Sequence, residues 1–140
     1  MRIVAVARIA KSMGPHTRLV AQFRQPSGPL GRLAGWTMAH GPSNRLRDSV
    51  TIQLLGLETD DLVLEIGYGP GLATELASRE TRTGKVIGLD HPTVMYRQAA
   101  IRNAAAIAAG KVEIGIGDVL EPPFPLPLLD KIYSVNVVQF

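Results

Sequence analysis

Residues 61–71 read Asp-Leu-Val-Leu-Glu-Ile-Gly-Tyr-Gly-Pro-Gly, and this stretch limits the possible folds more than any other part of the chain. Leu62, Val63, Leu64 and Ile66 make a nearly continuous apolar run, the pattern of a strand buried on both faces of a parallel sheet. Gly67, Gly69 and Gly71 follow at a spacing of two. Glycine tolerates positive φ and lets a ligand approach the backbone closely. Pro70 suits a first helical position, after which Leu72, Ala73, Leu76 and Ala77 recur as one apolar stripe. The segment therefore reads as strand, tight turn and helix, an arrangement able to hold a nucleotide-like cofactor.

The glycines alone do not choose that cofactor. A phosphate-cradling dinucleotide fingerprint wants a third glycine three places after the second, and position 72 is leucine. A carboxylate at Glu65 also sits poorly beside a pyrophosphate and suits a cationic ligand better. A dehydrogenase-type nucleotide enzyme is accordingly the last-ranked alternative.

Val63 to Gly71 resembles the first motif of class I S-adenosylmethionine-dependent methyltransferases. Lys85-Val86-Ile87-Gly88-Leu89-Asp90 resembles that family's second strand with its terminal acid, and Gly117-Asp118-Val119 resembles the third motif. Lys131 to Phe140, preceded by Asp130, resembles the fourth strand and its end. The resemblance covers roughly residues 20–140, and it implies S-adenosylmethionine as the cofactor. The implied cofactor-binding residues are Glu65, Gly67, Tyr68, Gly69, Gly71, Asp90, His91, Asp118 and Val119. Asp90 would accept hydrogen bonds from the ribose hydroxyls, and Asp118 would meet the adenine amino group. Gly67 and Gly69 would lie against the methionine part, and Glu65 would act through the turn and the ligand's ammonium. Asn136, at the end of the fourth strand, is the candidate for an active-site role near the methyl group. No general base and no metal ligand are identified.

The expected fold class is α/β: a Rossmann-like, mostly parallel partial sheet in the order 3-2-1-4 with flanking helices. Relatives continue beyond the fourth strand, so the resemblance implies that the C-terminal half of the methyltransferase fold is missing after Phe140. Ile132, Tyr133, Val135, Val137 and Val138 would then form an apolar sheet edge open to self-association. A noncatalytic remnant or binding module is the alternative to a methyltransferase acting on a small-molecule acceptor.

The division expected is a basic, Gly/Pro-punctuated arm over residues 1–42 and a cofactor-binding half-domain over 43–140. Residues 1–48 hold eight Arg or Lys and one acid, whereas residues 49–140 hold seven basic and eleven acidic residues. An arm so charged can touch nucleic acid or an anionic membrane surface. A solvated flank that packs on the domain is the favoured reading, so no nucleic-acid partner is assigned. Ile3, Val6, Ile9, Ala10 and Met13 have helix-like spacing, which predicts an amphipathic surface helix or an irregular N-terminal extension. Positions 14–42 predict a loop-rich flap around Leu30 to Met38, anchored by Trp36.

Ser43 is placed to cap a helix with Leu46, Val50, Leu54 and Leu57 on one face. Pro92 would start a second helix, with Val94, Ile101, Ala105 and Ala108 repeating and Gly110 closing it. Four prolines between Glu121 and Pro127 require an extended loop. The chain has no cysteine, which excludes a disulfide framework and thiolate metal sites. His16, His40 and His91 show no ligand spacing, and no apolar run approaches a membrane span. A cytoplasmic location is the default expectation.

Overall fold

Short apolar runs separated by helical stretches pair most simply in parallel, because each crossover returns the chain to the same end of the sheet. The computed structural model, which describes residues 2–5, 42–91 and 93–135, has this architecture. Strands β1 (Arg2–Ala5), β2 (Leu62–Ile66), β3 (Lys85–Asp90), β4 (Val112–Ile116) and β5 (Lys131–Ser134) form one sheet in the order β1-β5-β2-β3-β4. All four pairings are parallel. Helix α1 (Pro42–Leu55) leads into β2, α2 (Leu72–Glu80) joins β2 to β3, and α3 (Thr93–Arg102) with α4 (Ala104–Ala108) joins β3 to β4. The expected 3-2-1-4 order is the β4-β3-β2-β5 part of this sheet. The order reverses between β2 and β5, and a crevice at the carboxyl ends of the strands opens at such a switch point.

Side chains alternate across the strands, so each face gathers its own core. Val63, Val86, Val112 and Tyr133 face the helices, where they meet Ile52 and Leu55 of α1 and Ala73 and Ala77 of α2. Leu64, Ile87 and Leu89 face the other way and pack with Phe124, Leu126 and Leu129 of the proline loop. That loop seats itself where β4 ends in glycines. A Cβ on Gly115 would lie 2.6 Å from Phe124 Cε1 and 2.7 Å from Pro123 Cγ. Gly115→Ala is therefore expected to lift the loop and cost about 1–3 kcal/mol, the scale of overpacking a filled site. Urea unfolding measures it, and a midpoint unchanged from wild type would show that the loop does not rest on Gly115.

Three local expectations are corrected. Residues 2–5 form a strand and not the start of a surface helix: Arg2 to Ala5 run parallel to Lys131 to Ser134. The reason is non-local, since β5 offers a row of backbone groups that a short β-compatible segment can satisfy. The β5 edge expected to be bare over residues 131–134 is consequently covered by β1. In α1, Leu46, Val50 and Leu54 are exposed, while Thr51, Ile52 and Leu55 are buried. The helix carries two stripes, and the one at 48, 51, 52 and 55 turns inward because Ile52 and Leu55 join the sheet core. The second crossover is broken in two at Asn103, and its expected inward residue Ile101 is exposed.

Gly110 closes α4 with φ 72° as expected, its N–H donating to the Ile107 carbonyl. The expected flap with Trp36, the helix-starting Pro92, and Asn136 to Phe140 lie outside the described residues. Among the described residues no helix is long and apolar enough to cross a membrane, and no group of acids and histidines could hold a metal.

Candidate functional site

Strand β2 delivers the chain to the crevice, and the glycines then reverse it. Gly67, Gly69 and Gly71 have φ of 77°, 50° and 79°, which gives the turn its sharp path before α2 begins. The turn is tied to its surroundings at each glycine. Gly67 N donates to the Leu89 carbonyl at 2.6 Å, Gly69 N to Asp90 Oδ2 at 2.7 Å, and Gly71 N to the Tyr68 carbonyl at 2.8 Å. Asp90, at the end of β3, also accepts from the His91 amide through Oδ1 at 2.7 Å.

The neighbouring strand brings up the remaining predicted residues. Gly117 N donates to the Asp90 carbonyl at 3.0 Å, which puts Asp118 beside His91. His91 Nε2 is 3.9 Å from Asp118 Oδ2, and both side chains are exposed. Asp118 Oδ1 also accepts from the Leu120 amide at 2.9 Å, so the carboxylate shapes its own turn as well. Val119 is partly exposed next to it. The glycine turn, Asp90, His91, Asp118 and Val119 are thus collected around the carboxyl ends of β2, β3 and β4.

Two predicted residues point inward. Tyr68 is buried with Met95 and Ala99, and its ring covers Gly88 so closely that a Cβ there would lie 2.9 Å from Tyr68 Cδ1. Glu65 is 2 % exposed, beneath the turn on the helix side of the sheet. Its Oε2 accepts from Thr74 Oγ1 at 2.5 Å and from Tyr133 Oη at 2.9 Å, which links β2 to α2 and β5. Glu65 is thereby placed to hold the turn from below.

The sequence did not single out the residues that hold the turn from outside. Arg102 Nε donates to the Pro70 carbonyl at 3.1 Å, and Asn103 Nδ2 donates to the Gly71 carbonyl at 3.0 Å. Asn103 also donates to the Ala99 carbonyl at 3.0 Å, so its side chain is not used to cap α4. A poor helix former inside an alanine-rich helical stretch was the one available signal. Thr74, Tyr133 and Asp48 gave none.

Electrostatics separates this crevice from a phosphate site. Burial pushes the Glu65 carboxyl up to about 8, against the lowering effect of the Thr74 and Tyr133 hydroxyls, with Asp48 and Asp90 adding to the rise. Burial likewise pushes Asp48 up to about 6, opposed by Arg47. It raises Asp90 above the usual carboxylate range in spite of the Gly69 and His91 amides. Acids on α1, on β2 beneath the turn and at the end of β3 favour positive charge near the crevice and disfavour a pyrophosphate. Ser134 Oγ, at the end of β5 and in register with Ile66, is buried and has no hydrogen-bond partner among the described residues. A cationic, hydroxyl-bearing cofactor fits this donor and acceptor set.

Comparison with known proteins agrees with this chemistry. Residues 63–140 match the family model described as a methyltransferase domain. The chain is 30 % identical over 104 residues to the uncharacterized methyltransferase YdaC of Bacillus subtilis, covering 74 % of this chain and 54 % of that protein. It therefore spans about half the length of this curated relative. Among solved structures, it is similar to a putative S-adenosylmethionine-dependent methyltransferase of Methanococcus maripaludis, with TM-score 0.62, 19 % identity, and coverage of 94 % of this chain and 56 % of that one. A methyltransferase of Thiobacillus denitrificans, solved with S-adenosylhomocysteine, aligns with TM-score 0.57 and 23 % identity over 74 % of this chain and 42 % of that one. With a family model covering more than half of its residues, the chain belongs to the methyltransferase-domain family of class I, S-adenosylmethionine-dependent fold.

Proposed function

We propose that this chain binds S-adenosylmethionine in the crevice at the β2–β5 switch point and serves in methyl transfer to a small-molecule acceptor. The observation that carries the reading is the coupling of the glycine turn to the terminal acid of β3 through Gly69 N and Asp90 Oδ2 at 2.7 Å. Asp90 would receive the ribose hydroxyls on its remaining lone pairs. Asp118 and Val119 would border the adenine, with His91 at the rim. The Gly67 and Gly69 backbone would approach the methionine part, and Tyr68 and Gly71 would set the path of the turn. Residues 43–140, the cofactor-binding half of the proposed division, supply these groups, and from the basic arm over 1–42 residues 2–5 contribute β1.

When bound, the cofactor supplies an activated methyl on a sulfonium, so the protein's contribution is alignment and exclusion of competing partners. The chain's own groups do this through fixed backbone: Arg102 and Asn103 hold the exit of the turn, and Glu65 holds its base. Asn136 is kept as the candidate beside the methyl group.

Calorimetric titration tests the reading. S-adenosylmethionine and S-adenosylhomocysteine are expected to bind, with NAD as the control that does not. Binding of NAD in preference to both would overturn it. Asp90→Ala is expected to weaken S-adenosylmethionine binding by about 1.5–3 kcal/mol, the scale of hydrogen bonds to a charged group. Asp90→Asn should lose less, because an amide oxygen still accepts from Gly69 N. Equal affinity of the alanine variant and wild type would remove Asp90 from the site.

A further inference from the structure

A buried carboxyl whose hydrogen bonds come only from hydroxyls is poorly compensated for a full negative charge. Among the described residues Glu65 is such a group. It lies two residues before Gly67, is 2 % exposed, and takes both of its described hydrogen bonds on Oε2, from Thr74 and Tyr133. Among the described residues, the titratable groups that act on it from neighbouring elements are Asp48 of α1, Asp90 of β3 and the phenol of Tyr133 of β5. Tyr68, in the turn itself, feels the Glu65 charge as well. None of these is a cation. Arg47 acts on Asp48, and His91 acts on Asp90, each one step further out.

We propose that Glu65 is a specificity-determining residue that distinguishes S-adenosylmethionine from S-adenosylhomocysteine, which has one positive charge fewer, by releasing more of its proton when the sulfonium charge is present. The inference rests on the binding reading above. With the cofactor absent, the Glu65 carboxyl keeps its proton. Binding of the sulfonium favours the carboxylate, the O–H bond breaks, and the proton passes to the buffer. After methyl transfer the sulfur is neutral, the site has lost one positive charge, and the carboxylate takes back the corresponding part of a proton. The affinity of the site for the cofactor then rises with pH relative to its affinity for the product, because proton loss and cation binding are reciprocally linked.

Two readouts test this. The first is calorimetry of each ligand at pH 7 in buffers of different ionisation enthalpy, which counts protons released on binding. S-adenosylmethionine is expected to release a few tenths of a proton or more beyond S-adenosylhomocysteine. In Glu65→Gln, which keeps an acceptor for Thr74 and Tyr133, that difference should vanish, and the preference for cofactor over product should fall about tenfold per unit of lost linkage. The second readout needs no ligand: the infrared carbonyl band of a protonated carboxyl should be present in the free wild-type protein at pH 7 and absent from Glu65→Gln.

Tyr133→Phe leaves the carboxyl but removes one hydroxyl that eases its ionisation, so the pH of greatest proton release should move upward. This variant keeps the test decisive if the glutamine protein fails to fold. Equal proton release with both ligands, or no protonated band in the free protein, would overturn the proposal while leaving cofactor binding intact. Failure of either ligand to bind would overturn the binding reading and this inference with it.

Discussion

Lys131→Met is expected to cost about 3 kcal/mol of folding stability, the low end for removing one partner of a buried ion pair. Lys131 Nζ donates to Asp61 Oδ2 at 2.7 Å and to the Gly56 carbonyl at 2.5 Å, with the two charged side chains only 13 % and 10 % exposed. The loss of the ammonium leaves Asp61 with the Glu58 amide at 2.7 Å as its described partner. It also frees the segment that joins α1 to β2. The pair therefore helps to set where β5 enters the sheet relative to β2, at the amino ends of the strands opposite the crevice.

The pH dependence of that loss has a definite sign. Burial works against the Asp61 charge, but Lys131 and the Glu58 amide outweigh it and hold the carboxyl below its usual range. A depressed carboxyl contributes stability that is present above the unfolded value near 4 and is lost as pH falls through the folded value. Wild type and Lys131→Met should thus differ at pH 7 and converge in acid, as read by urea midpoints across that range. A constant gap down to the acid limit would assign the loss to packing of the lysine stem. Asp61→Asn combined with Lys131→Met should recover part of the stability, since neither charge is then stranded.

The residues that were legible in the sequence are those whose role is set by near neighbours. Leu62 to Ile66 had to be a central strand, and Gly67 to Gly71 had to be a turn, because apolar continuity and glycine spacing are local properties. Asp90 and Asp118 were legible as strand-end acids for the same reason. What the sequence hid depends on distant partners. Glu65 was read as acting through the turn and the ligand's ammonium, and nothing local showed that its hydrogen-bond partners would be Thr74 and Tyr133, nine and 68 residues away. Arg2 to Ala5 were read at helical spacing, because nothing local announces that a strand 126 residues or more further on will pair with them. In α1 the exposed stripe is as apolar as the buried one, so periodicity alone could not choose the face.

Gly71→Ala is expected to cost about 2–5 kcal/mol and to abolish cofactor binding. Two effects add at this position. Gly71 has φ 79°, which costs an L-residue about 1–2 kcal/mol. Its absent Cβ would also lie 2.9 Å from the Ala99 backbone Cα and 2.7 Å from Asn103 Nδ2. Backbone cannot swing aside as a flexible side chain does, so overpacking contributes roughly 1–3 kcal/mol more. Relief requires α3 to move away from the turn, which breaks the Asn103 bond to the Gly71 carbonyl. Helix α2 begins at the next residue, so its first turn would shift with it. Urea unfolding and S-adenosylmethionine titration at a temperature where the variant remains folded separate the two losses. Asn103→Ala supplies the control: it removes the side chain that Gly71→Ala would strike, so the double variant should lose less than the sum of the single ones. Strict additivity would show that the Asn103 side chain carries none of the strain.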